Sequence, residues 1–197
     1  MKSFHSLALI ILICITGIIN QISAQTITIS HQTSAPFYIG EIYPIDWSYT
    51  NLVSQTVAIS ISTDNGTTWI TADTVDKDSN PYDFPILTNP TTQGRFRVSS
   101  VGSPATESIS ANPFQIKLPV YILTSLTGGQ VITGCTNQTV NWTMEGVSTT
   151  VDLDLSPDGG TTWLPLTEGV NSIPGANSFT WSVSNIATAS ADRKSVV

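Results

Sequence analysis

Residues 45–70, IDWSYTNLVSQTVAISISTDNGTTWI, return later in the chain as residues 140–164, VNWTMEGVSTTVDLDLSPDGGTTWL. Trp47 pairs with Trp142 and Trp69 pairs with Trp163, so one residue is lost between the two matches. Asp64-Asn65-Gly66-Thr67-Thr68-Trp69 agrees with Asp158-Gly159-Gly160-Thr161-Thr162-Trp163 at five of six positions. Tyr82-Asp83-Phe84-Pro85-Ile86 matches Phe179-Thr180-Trp181-Ser182-Val183, and Ile27-Thr28-Ile29 matches Tyr121-Ile122-Leu123. An internal repeat constrains a fold more than any single motif, because both copies must adopt the same chain path. The repeating unit is about 94 residues, too long for a solenoid repeat or one propeller blade.

Each copy is written with a period of two. Val57, Ile59 and Ile61 alternate with Ala58, Ser60 and Ser62; Val151, Leu153 and Leu155 alternate with Asp152, Asp154 and Ser156. Ile45, Trp47 and Tyr49 repeat this, as do Val140, Trp142 and Met144. Strict alternation is the mark of an antiparallel strand with one face on a core and one in water. It predicts that Ala58, Ser60 and Ser62 face solvent. Asp64-Asn65-Gly66 and Asp158-Gly159-Gly160 carry the residues that accept the positive φ of tight turns. Seven strands are predicted in the first copy, over about 26–30, 42–50, 56–62, 67–72, 82–86, 94–100 and 107–116. Seven short strands in such a unit describe an Ig-like β-sandwich. The chain is therefore expected to be all-β: tandem Ig-like or fibronectin type III-like antiparallel sandwiches.

The first copy follows a segment that reads as a leader. Lys2 precedes an apolar run from Leu7 to Ile19, and Ile22-Ser23-Ala24 ends in a small residue before Gln25. This is the pattern of a secretory signal peptide over residues 1–24, cleaved after Ala24. The run is short of the roughly 20 residues that a spanning helix needs, and no membrane span is expected in the mature chain. Ile13 before Cys14 speaks against a lipidated cysteine. Export directs the protein to the cell surface or the medium. Cys135 is then the remaining cysteine, so no disulfide framework is available. Nothing in the sequence around it would activate a thiol, and the mature histidine is His31 alone. Seven Lys and Arg against fourteen Asp and Glu exclude a basic nucleic-acid footprint.

The domains are expected at 1–24 (signal peptide), 25–118 (first sandwich), 119–191 (second sandwich, incomplete) and 192–197 (a non-native tail). The first copy continues after Phe84 into Arg95-Phe96-Arg97-Val98 and then Ile109 to Ile116; the second shows no counterpart to either strand. A reverse translation of the last six residues resembles a common sequencing-library adapter, and the natural chain is expected to continue. Phe96, Val98, Ile109, Phe114 and Ile116 should close the first core over Trp47. In the second copy Trp142, Leu153, Leu155 and Trp181 should then lie open to solvent, leaving 119–191 unable to fold alone.

Ser62-x-Asp64-x-Gly66-x-Thr68-Trp69 and Ser156-x-Asp158-x-Gly160-x-Thr162-Trp163 resemble the Asp-box of sialidase-like propellers, whose role is structural. Catalysis by such a propeller needs several arginines to hold a carboxylate, and here only Arg95, Arg97 and Arg193 are present. The whole unit, with a strand ending in Trp, the V-x-I-x-[IL]-S-x-D-G-G-x-x-W stretch and an aromatic strand, is similar to Ig-like and fibronectin type III-like domains of secreted bacterial surface proteins. It also resembles the Ser-Thr-rich membrane-anchored family of fungal cell-wall proteins, including the N-terminal domain of cell-wall β-glucan synthesis proteins. The resemblance implies extracellular, non-catalytic modules in tandem and supplies no site residues.

Other candidate groups have plainer readings. Asp76-x-Asp78-x-Asn80 has the first spacings of a calcium loop, but Pro81 replaces the required Gly and Leu87 the terminal Glu, so a solvated loop is expected. Asp152 and Asp154 lie two apart on an outer strand face, which suits a soluble surface better than acid/base work. Trp47, Trp142 and Trp181 fall on the inward face, while Trp69 and Trp163 follow turns. Catalytic, cofactor and metal residues are all expected to be none. The sequence reading is a structural or adhesive module of an exported surface protein; the alternative is a carbohydrate-binding accessory module of a secreted glycan-degrading enzyme. A cell-surface glycan or neighbouring domains of the same chain are the partners these readings allow.

Overall fold

A computed structural model describes residues 23–30, 35–102, 105–126 and 130–184, and the backbone of 192–196. The chain is all-β, a tandem pair of antiparallel Ig-like sandwiches, with no helix among the described residues. Unit 1 contains β1 (Thr26–Ile29), β2 (Phe37–Tyr38), β3 (Ile42–Ile45), β4 (Trp47–Thr50), β5 (Thr56–Ser62), β6 (Ile70–Asp76), β7 (Tyr82–Pro85), β8 (Thr91–Ser100), β9 (Glu107–Ile109) and β10 (Phe114–Lys117). Unit 2 contains β11 (Val120–Leu123), β12 (Asn137–Glu145), β13 (Thr149–Ser156), β14 (Leu164–Ser172), β15 (Gly175–Ser182) and β16 (Asp192–Val196).

One layer of unit 1 pairs β1 with β4 and β3 with β7; the other runs β2-β10-β8-β5-β6, with β9 also on β8. The predicted strand over 42–50 is interrupted at Asp46, whose carbonyl accepts Ser30 N–H, so its two halves pair with different neighbours. β6 lies later than predicted, because residues 64–69 are spent on the turn. The short β2 was not predicted; it pairs parallel to β10 through Phe37 and Ile116. Ser60 and Ser62, expected to face water, are buried. Ser60 Oγ sits 3.1 Å from Thr71 Oγ1, and Ser62 lies under the turn that follows it. The core holds Trp47, Val57, Ile59, Ile86, Val98 and an aromatic group in which Phe96 lies 4.5 Å from Phe114 and 5.2 Å from Phe84 between ring centroids. Ile109, placed in this core by the sequence reading, is instead well exposed, since β9 turns its side chain outward.

Unit 2 repeats the plan as sheets β11-β12-β15 and β14-β13-β16. β16 pairs with β13 from Ser156↔Asp192 to Asp152↔Val196, the place that β8 takes beside β5 from Ser62↔Arg95 to Val57↔Ser100. This corrects the expectation that the second unit has no counterpart to that strand. Trp142 and Leu153, expected to be open, are each 2% exposed. Tyr121, Leu123, Leu126, Leu166, Val170, Phe179 and Trp181 pack against them. Trp181 and Leu155 remain half-buried.

Leu118 and Pro119 link β10 to β11, and the turns on either side of them meet. Tyr38 OH donates to Glu145 Oε2 at 2.9 Å. That carboxylate, by accepting the bond and through its charge, holds the phenol above its ordinary pKa. A Cβ placed on Gly40 would lie 3.7 Å from Val147 Cγ2. Gly146, at φ 124°, leaves room for Pro119, where a Cβ would come within 3.0 Å of the proline ring.

Candidate functional site

The repeated S-x-D-x-G-x-T-W turn is the one constellation that both units build alike. β5 delivers Ser62 to the head of its turn, and Asn65 and Gly66 continue it at φ 60° and 89°, which Asn and Gly tolerate best. Ser62 Oγ–H donates to Asp64 Oδ1 at 2.7 Å, and the same oxygen accepts Gly66 N–H at 2.8 Å. Asp64 Oδ1 accepts Thr68 N–H at 2.8 Å, and Oδ2 accepts Thr68 Oγ1–H at 2.6 Å. In unit 2, Ser156 donates to Asp158 at 2.8 Å and accepts Gly160 N–H at 2.7 Å. Asp158 accepts Thr162 N–H at 2.7 Å and Thr162 Oγ1–H at 2.8 Å.

Hydrogen bonds to the ionised form favour it, so both carboxylates are easier to ionise than usual. The Thr68 hydroxyl, then the Thr68 amide, then Ser62 hold Asp64 down to about 2. The Thr162 amide and hydroxyl, then Ser156, lower Asp158. A carboxylate held in this state is a poor proton donor or acceptor near neutral pH. Its lone pairs are taken by the turn.

The tryptophans that close the motifs are packed as well. A Cβ on Gly66 would lie 3.3 Å from Trp69 Cζ2, and one on Gly160 would lie 3.6 Å from Trp163 Cζ2. The Arg97 guanidinium sits 4.5 Å from the Trp69 ring centroid, and its Nη1 lies 3.6 Å from Glu107 Oε2. Arg95 reaches from Asn65 Oδ1, at 2.6 Å, to the Ser110 and Ala111 carbonyls. The two arginines thus lash the turn of unit 1 to its neighbouring strands, and neither forms part of a carboxylate clamp. The sequence alone names Ser62 and Ser156 in the motif without giving them their bonds in the turn, and it does not reach the arginine contacts. The available signal was the Ser two residues before each Asp; the arginine contacts have none, being set by the register of β8 on β5.

The remaining candidates separate. Asn80 Nδ2–H donates to Trp47 O at 2.5 Å, and Asn80 Oδ1 accepts Trp47 N–H. Asp78 accepts Tyr49 OH, and Asp76 Oδ1 accepts Asp78 N–H at 2.9 Å. Asp78 and Asn80 dock their loop on β4 while Asp76 braces the loop itself, and no group of metal-ligating side chains assembles among the described residues. Asp152 Oδ1 accepts Gly169 N–H at 2.8 Å, bridging to β14. Cys135 is exposed, in a turn at φ 61°. His31 lies outside the described residues, as do Cys14 and the apolar run; the Arg193 side chain does too. No helix among the described residues is long and apolar enough to cross a membrane.

No family model and no curated protein matches the chain. Among solved structures it is similar to two chains described as a marsupial T cell receptor, each at 13% identity and a TM-score of 0.32. One match covers 81% of this chain and 87% of that chain; the other covers 88% and 100%.

Proposed function

We propose that the chain is a non-catalytic structural or adhesive module of an exported cell-surface or secreted protein. The observation that carries this reading is the saturation of the repeated turn. Asp64, Asp158, Arg95 and Arg97 are the charged side chains best placed for chemistry or ligand capture; the two carboxylates are spent on their own turns, and the two arginines on neighbouring elements of unit 1. Trp69 supports the same reading. A sugar-stacking tryptophan offers a free ring face, whereas this ring carries a guanidinium on one face and Gly66 at its edge. The Lys2 to Ala24 segment supports export, and the two-residue linker with its Tyr38–Glu145 contact suits a chain that spaces other domains.

The test is secretion followed by a glycan array. Expressed with its leader, the protein is expected in the medium starting at Gln25 by intact mass, with no glycan signal that depends on Trp69 or Trp163. Retention of residues 1–24 overturns the export reading. A glycan signal lost in Trp69→Ala or Trp163→Ala overturns the structural reading in favour of a carbohydrate-binding accessory module.

A further inference from the structure

The segment that enters β1 is tied to the turn at 51–53 by two side chains. Asn51 Nδ2–H donates to Ser23 Oγ at 2.8 Å, and Val53 N–H donates to Gln25 Oε1 at 3.0 Å. The peptide unit between Leu52 and Val53 is held at both ends, since Lys77 Nζ donates to Leu52 O at 3.2 Å. Leu52 itself is buried in the core of unit 1. Gln25 is half-buried and stands one residue ahead of the first ladder pair, Thr26↔Thr50. The donor to Gln25 is a backbone N–H, so the atom it meets is the amide oxygen and not the amide nitrogen. Cleavage after Ala24 takes away Ser23 and its bond. The Gln25 bond stays with the mature chain, on the residue that then carries the α-amine.

We propose that Gln25 is a modification site: in the exported chain its α-amine closes on its own side chain to give a pyroglutamyl end, whose lactam carbonyl keeps the Val53 bond. This rests on the export reading and goes beyond it. The α-nitrogen attacks Cδ and forms the N–Cδ bond of a five-membered lactam. The Cδ–Nε2 bond breaks, and Nε2 leaves as ammonia with the proton that the α-amine gives up. The exchange is complete within one residue and needs no oxidant, reductant or second substrate. An α-amine with a pKa of about 8 keeps a neutral, nucleophilic fraction at neutral pH. Attack within one residue also avoids the entropy of bringing two partners together. Oε1 takes no part in the exchange, so the atom that accepts Val53 N–H before closure is the atom that survives it. Closure removes the terminal positive charge and ties the head of β1, a place where chains ordinarily fray, through a neutral ring.

Mass and amide exchange test it. The full chain, expressed with its leader and secreted, should settle on storage at the mass of residues 25–197 less one ammonia. It should resist amine-directed N-terminal sequencing until a pyroglutamyl peptidase is added. A stable mass of 25–197 with an open amine overturns the proposal and leaves the export reading standing. Retention of residues 1–24 overturns the export reading and the proposal with it. In the cyclised protein the Val53 amide should exchange with solvent deuterium about tenfold more slowly than in Gln25→Ala, the effect of one net hydrogen bond, with the β5 amides unchanged. Equal rates at Val53 overturn the lactam's place in the fold.

Discussion

Trp142 and Ser172 form a donor–acceptor pair closed off from water: the indole Nε1–H donates to Ser172 Oγ at 2.9 Å, and neither residue is more than 2% exposed. The repeat partner, Trp47, solves the same problem differently, donating to the Lys77 carbonyl at 3.1 Å. One copy satisfies its core indole with a side chain and the other with backbone.

Ser172→Ala removes that acceptor and leaves a buried donor unpaired, which costs about 1–3 kcal/mol. Denaturant unfolding followed by the tryptophan fluorescence of both units should show unit 2 weakened by this amount and unit 1 unchanged. An unaltered transition would mean that the indole finds another partner.

Gly94 needs to be glycine for reasons of space. It pairs with Phe114, and a Cβ there would fall 2.3 Å from Phe114 Cε2. Phe114 is held in turn by Phe96 and Phe37. Gly94→Ala should destabilise unit 1 by roughly 1–3 kcal/mol, the range for overpacked cores. Phe114→Leu in the same chain should recover part of the loss, a coupling that a double-mutant cycle of thermal melts reads directly.

Acid should loosen both turns. A carboxyl depressed in the folded state adds stability above its unfolded pKa, about 3.9, and loses it as pH falls toward the folded value. For Asp64, held down to about 2, the window runs from about pH 4 to about pH 2. Asp158, lowered by the equivalent bonds, loses its contribution below pH 4 as well. Thermal midpoints of wild type should fall across this window. Asp64→Asn should start lower at neutral pH and show a shallower fall, and equal slopes would sever the turn from the acid response.

The strands, the turns and the repeat are readable from the sequence because they depend on neighbours. A side chain's facing alternates with every residue, and Asn or Gly at a tight turn answers a local steric demand. For this reason Val57, Ile59 and Val151 could be placed in the core, and Asp64 and Asp158 in structural turns, from spacing alone. Pairing across the sandwich is not local. Whether Ser60 meets water depends on Thr71, eleven residues away; the break at Asp46 depends on two different partner strands; and the place of residues 192–196 depends on an open position beside β13. Gly40 and Cys135 occupy the same place in the two units, shortly before β3 and β12. The two residues share no chemistry, only a backbone conformation and one pair of hydrogen bonds, which exist once the neighbouring strand brings Ile86 or Val183 alongside.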